Sequence, residues 1–97
     1  MDTAYFKDKV VVITGASSGI GLATAKLFGS YGARVVMAAR SFEKMCGLAP
    51  QVSSDPDRVL CVRADVSVED DCRNLIDAAV ARFGGIDILV NNAGVSI

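Results

Sequence analysis

Thr14-Gly15-Ala16-Ser17-Ser18-Gly19-Ile20-Gly21, following the apolar run Val10-Val11-Val12-Ile13, is the stretch on which the reading of this chain turns. An apolar run of that length ending in a glycine turn reads as a buried strand, and the residues from Ser18 onward carry helical spacing. A strand, a tight turn and a helix N-terminus in succession make an anion site, because unpaired backbone N–H groups and the positive end of the helix dipole converge there. Gly15 permits a sharp exit from the strand. Gly19 lets the backbone approach a phosphate without a Cβ in the way, and Gly21 lets the helix pack closely. The spacing G-x-x-x-G-x-G alone also suits a flexible loop.

The surroundings favour the anion site. A second strand, Arg34-Val35-Val36-Met37-Ala38-Ala39, follows and ends in Arg40-Ser41. Strand, glycine turn, helix and a second strand about twenty residues on are what a dinucleotide-binding unit requires.

The rest of the chain continues the alternation. Strand one is expected at about Val10–Thr14 and helix one at Ser18–Tyr31, with Ile20, Ala23, Leu27 and Phe28 on its inner face and Gly32 as its C-terminal cap. Strand two covers Arg34–Ala39. Helix two, about Phe42–Val52, is interrupted by Gly47 and Pro50, and Ser53–Asp57 reads as a loop. Strand three is expected at Val59–Arg63. Ser67 is read as the cap of helix three, with Asp70 at its third position, and that helix stops at Gly84-Gly85. Strand four is expected at Ile86–Asn91. Alternating strands and helices imply right-handed crossovers and a parallel sheet.

Composition agrees with that class. Hydrophobic residues make up 52% of the 97 and aromatic ones 6%, which suits valine- and alanine-rich strands covered on both faces. Ten basic residues against eleven acidic ones, without a run of either sign, point away from nucleic acid. No apolar run is long enough to cross a bilayer, and Met1–Lys9 lacks the apolar core of a signal peptide, so cytoplasm is the expected location. Cys46, Cys61 and Cys72 lack C-x-x-C spacing in a chain without histidine. They read as reduced packing residues, and no metal site is expected.

Thr14–Gly21, Asp65-Val66 and Asn91-Asn92-Ala93-Gly94 stand in the order and rough spacing of the short-chain dehydrogenase/reductase family, which the chain resembles from about Lys9 to Gly94. The resemblance implies a single, truncated dinucleotide-binding domain over 1–97. Its fold would be a partial doubly wound α/β Rossmann unit, with a four-stranded parallel sheet in the order 3-2-1-4 and three helices. The implied cofactor-binding residues are Gly15, Ser17, Ser18, Gly19, Ile20 and Gly21 of the turn, Arg40 and Ser41, Asp65 and Val66, and Asn92, Ala93 and Gly94. Asp65 would accept from the adenine amino group while Val66 packs on the ring; the plainer reading is that Asp65 assists the start of helix three. The backbone of Asn92–Gly94 would line the nicotinamide ribose, and Asn91 and Thr14 would tie strands four and one.

Arg40 selects the cofactor. NAD-binding units end their second strand in a carboxylate that accepts from the adenosine ribose. Here Ala39 takes that position and Arg40 follows, so NADP(H) is expected rather than NAD, with Ser41 and Ser17 as further donors to the 2′-phosphate.

Tyr5-Phe6-Lys7-Asp8-Lys9 spells the family's catalytic Y-x-x-x-K, but it precedes the first strand, at the end of the sheet away from the cofactor. Neither Tyr5 nor Tyr31 is expected to be catalytic. The resemblance puts the catalytic asparagine, serine, tyrosine and lysine beyond Ile97. It thus implies an NADP(H)-dependent oxidoreductase acting on a carbonyl or secondary alcohol, with these residues inactive alone. A stand-alone NADP-binding module and an inactive truncated product are the alternatives. Strand four, left as an edge, and a face covered by one helix imply self-association.

Overall fold

The valines of the first apolar run form β1, Val10–Thr14, buried along its whole length, in a computed structural model that describes residues 3–92. β2, Arg34–Ala39, β3, Val59–Arg63, and β4, Ile88–Val90, complete a parallel sheet in the order β3-β2-β1-β4. The helices are α1, Gly19–Ser30, α2, Phe42–Val52, and α3, Glu69–Phe83.

The period-two alternation of the strands divides the core. Val11, Ile13, Val35 and Met37 face α1 and α2, where Ala25, Met45 and Val52 meet them. Val10, Val12, Val36 and Ala38 face α3, meeting Leu75 and Ala79. Two helices therefore cover one face and one covers the other. Because the central strands are apolar on both faces, only a sheet sandwiched between helices satisfies them.

Four local expectations need correction. The inner face of α1 is Gly21, Leu22, Ala25 and Phe28, whereas Ile20 is 69% exposed and Leu27 50% exposed. Small residues win that face because α1 lies close to its neighbours: a Cβ on Gly29 would stand 2.0 Å from the Val52 carbonyl oxygen of α2. Next, α2 runs unbroken through Gly47 and Pro50, since burial of Met45 and Val52 anchors both ends and outweighs propensity.

Ser67 does not cap α3. Val68 holds the cap position without a side-chain bond, and the Ser67 hydroxyl instead donates to Asp65 Oδ1 at 2.6 Å. Finally, β4 is shorter than its apolar pattern, because side chains replace ladder bonds at both ends. Asp87 Oδ2 accepts from the Val10 N–H at 2.8 Å, and Thr14 Oγ1 accepts from the Asn92 N–H at 2.9 Å.

The N-terminal segment forms a 3-10 turn over Thr3–Phe6, with Phe6 packed edge-on against Phe28 and stacked on Tyr31. Tyr5 lies at that same end, its ring beneath the Lys9 ammonium at 5.1 Å, across the sheet from the glycine turn. At the C-terminal end of α1, Gly32 takes the left-handed conformation (φ 81°) expected of a cap glycine.

Candidate functional site

The carboxyl ends of β1, β2 and β3 carry three loops held side by side. Ala16 N–H donates to Ala38 O at 3.1 Å, and Ala64 N–H to Ala39 O at 3.0 Å, which extends the parallel pairing one step beyond the strands. Register therefore carries Gly15, Arg40 and Asp65 to one rim.

The first loop leaves β1 at Gly15 with φ 63° and enters α1 at Gly19 with φ 57°, conformations that side chains strain to adopt. A Cβ on Gly19 would meet nothing within 4 Å, so the space in front of the turn is open. The helix end is open as well. Its first intrahelical bond runs from Leu22 N–H to Ser18 O, so the N–H groups of Gly19, Ile20 and Gly21 precede the ladder. Ser18 is extended and its side chain makes no cap bond, and the first turn holds no acid.

The other helices also lack a side-chain cap bond but differ in charge. Glu43 stands in the first turn of α2, and Glu69, Asp70 and Asp71 in that of α3. Asp71 Oδ2 accepts from the Asp65 N–H at 2.9 Å. Carboxylates already occupy the favourable end of α3, while α1 presents its dipole to whatever enters the cleft.

A cleft of about 390 Å³ lies over this rim. Gly15, Ser17 and Ser18 line it from the first loop, Arg40 and Ser41 from the second, and Asp65 and Val66 from the third. Ala39, Ala64 and Ser67 line it too, and of these only Ala39 is legible in the sequence, as a small residue where a carboxylate would block a phosphate. Ala64 and Ser67 flank Asp65-Val66 with no motif of their own.

Asp65 holds its loop together. Its Oδ1 accepts from the Ser67 N–H at 3.0 Å and from the Ser67 hydroxyl. Those bonds hold the carboxyl below its ordinary value, with the Arg40 guanidinium helping from across the cleft. The carboxylate is thus ionised at neutral pH, and Oδ2 is left for a donor.

Gly19, Ile20, Gly21 and Asn92 do not line the cleft. Asn92 supports the turn from below, its Nδ2 donating to Gly15 O at 3.4 Å. Thr14 Oγ1 donates to Asn91 Oδ1 at 3.0 Å, which binds the ends of β1 and β4. Ala93 and Gly94 lie outside the described residues.

Chemically, the rim offers free amides and hydroxyls at a helix N-terminus, a guanidinium and a carboxylate facing it. That set suits a phosphorylated ligand with a polar, planar end. Among the described residues, no cluster of His, Cys, Asp and Glu is arranged to hold a metal, and no helix is long and apolar enough to cross a membrane.

A family model described as short chain dehydrogenase matches residues 9–97. An uncharacterized oxidoreductase of Bacillus subtilis, YxnA, is 46% identical over 90 residues, which are 93% of this chain and 25% of that protein. A short chain dehydrogenase from Bacillus anthracis superposes with a TM-score of 0.86 at 43% identity, covering 91% of this chain and 36% of the other. A 3-ketoacyl-(acyl-carrier-protein) reductase from Brucella melitensis, solved in complex with NADH, gives a TM-score of 0.79 at 39% identity, covering 87% and 34%. The chain spans about a quarter to a third of the length of these proteins.

Proposed function

The chain belongs to the short chain dehydrogenase family, and from that premise we propose that its 97 residues form one dinucleotide-binding unit for the adenosine and pyrophosphate of NADP(H). The observation that carries the reading is the shared lining of the cleft, where the glycine turn, Arg40 with Ser41, and Asp65 with Val66 meet from three neighbouring strands. The pyrophosphate would lie on the uncapped α1 N-terminus, among the amides of Gly19, Ile20 and Gly21, with Ser17 and Ser18 beside it. Asp65 Oδ2 would accept from the adenine amino group, and Val66 would pack on the ring. The backbone of Asn92, Ala93 and Gly94 would line the nicotinamide ribose.

NADP(H) is favoured over NAD(H) because Ala39 stands where an acid would accept from the ribose, and Arg40 brings a permanent cation beside it. The Brucella reductase is described with NADH, so this preference is a property proposed for the present chain and not for its relatives. When bound, the nicotinamide supplies hydride transfer. The reaction proposed for the whole protein exchanges that hydride with a carbonyl or secondary alcohol, in the cytoplasm. These residues orient the adenosine end and carry no proton-transfer set, so the chain alone is proposed to be inactive.

Arg40→Ala should weaken NADP⁺ binding at least tenfold more than NAD⁺ binding, as titrated by fluorescence or calorimetry. Equal losses for the two dinucleotides would refute the preference. Failure of the unsubstituted protein to bind either would refute the site.

A further inference from the structure

Beside the adenosine cleft lies a second groove of about 520 Å³, lined by Arg40, Ser41, Phe42, Glu43, Lys44 and Arg63. Arg40 and Ser41 belong to both, so a group on the ribose that turns away from the glycine loop enters this groove. The cations arrive from three elements: Arg40 follows β2, Lys44 is in the first turn of α2, and Arg63 ends β3. Register brings them together, because Arg63 pairs with Ala39, the residue before Arg40.

Their absence from the ion pairs is the second observation. Among the described residues the ion pairs are Arg58–Asp8, Arg73–Glu69 and Arg82–Asp57. None of Arg40, Lys44 and Arg63 takes part in one, and Glu43 is the only acid lining the groove. A chain with net charge −1 therefore gathers three cations outside any of these ion pairs at one mouth.

We propose that Lys44 and Arg63 complete, with Arg40, the seat of the 2′-phosphate, and that Arg63 is a specificity-determining residue supplied by β3. The inference rests on the NADP(H) reading above and extends it to residues outside the glycine, Arg-Ser and Asp-Val motifs. A phosphate monoester carries up to two negative charges at neutral pH, more than one guanidinium neutralises. Arg63, as a planar fork, suits two of its oxygens, and Lys44 adds a point charge.

The test compares adenosine 2′,5′-bisphosphate with 5′-AMP by calorimetry on the purified protein. Lys44→Gln and Arg63→Gln are each expected to weaken the bisphosphate about five- to tenfold and leave 5′-AMP unchanged, so that AMP also reports an intact fold. Raising the salt from about 50 to about 500 mM should shrink the preference for the bisphosphate. Should both variants keep the full preference while Arg40→Ala abolishes it, this proposal fails and the NADP(H) reading stands. An unsubstituted protein that binds the two ligands equally overturns both.

Discussion

Gly21 lies so close to Gly15 that a Cβ on it would stand 2.0 Å from the Gly15 carbonyl oxygen and 2.7 Å from Asn92 Nδ2. The last glycine of the turn thus packs on the first, and the helix begins directly on the loop that it supports. Three alanine substitutions separate packing from propensity. Gly21→Ala should destabilise by about 2–3 kcal/mol and also impair nucleotide binding, because the Gly15 loop must move. Gly29→Ala meets the Val52 carbonyl at the same 2.0 Å and should cost a similar amount, away from the cleft. A Cβ on Gly47 would meet nothing within 4 Å, so Gly47→Ala should stabilise by about 0.5–1 kcal/mol. Denaturant titrations give all three; a stabilised Gly21→Ala would contradict the packing described.

Asp87 accepts from the Val10 N–H and in turn donates its own N–H to Val10 O at 2.9 Å. Asp87→Ala leaves a buried strand donor without its acceptor, which is expected to cost about 1–3 kcal/mol. Hydrogen exchange should locate the loss at Val10. Unchanged protection there would show that another acceptor serves.

Leu89 is 56% exposed on β4, at the sheet edge, and its register partner Val12 faces α3. On α3 itself Ile76 and Val80 are exposed as well. The β4 edge, unpaired among the described residues, and the apolar residues beside it should drive concentration-dependent association, which Leu89→Lys reduces. Sedimentation velocity over a roughly hundredfold concentration range measures it. A strictly monomeric protein would defeat this expectation.

Burial pushes the Cys61 thiol from 9.0 up to about 11, and neighbouring Cys46 adds to the rise. At pH 8 only about one such thiol in a thousand is ionised, so iodoacetamide should label Cys61 far more slowly than a free thiol. The unfolded chain loses this proton near pH 9, while the folded one keeps it to about 11. The contribution to stability is whole below pH 9 and declines between those values. Cys61→Ala should flatten that part of the alkaline limb. An identical limb would show that other groups govern it.

Much of this is legible in the sequence because its signals are local. Four apolar runs, each followed by a turn, specify a covered parallel sheet, and the glycine positions mark where the backbone bends. The helix faces are less legible. Ile20 and Leu27 have the right spacing and chemistry for a core, yet Gly21 and Ala25 take that face, because the distance to the sheet and to α2 is set by packing that no window of α1 contains. The start of α3 escapes a sequence reading for a similar reason. The Ser67 hydroxyl donates to Asp65 Oδ1 two residues back, and the cap position falls to Val68.

The sequence by itself determined the element types, their order and the phosphate turn, since strand and helix periodicity and glycine conformation are properties of neighbouring residues. Only the tertiary structure decided that Arg63 stands beside Arg40 and that Asp65 shares a cleft with Arg40. Arg40 lies far along the chain from Arg63 and Asp65 and becomes their neighbour through strand register, which depends on how both faces of the sheet are filled.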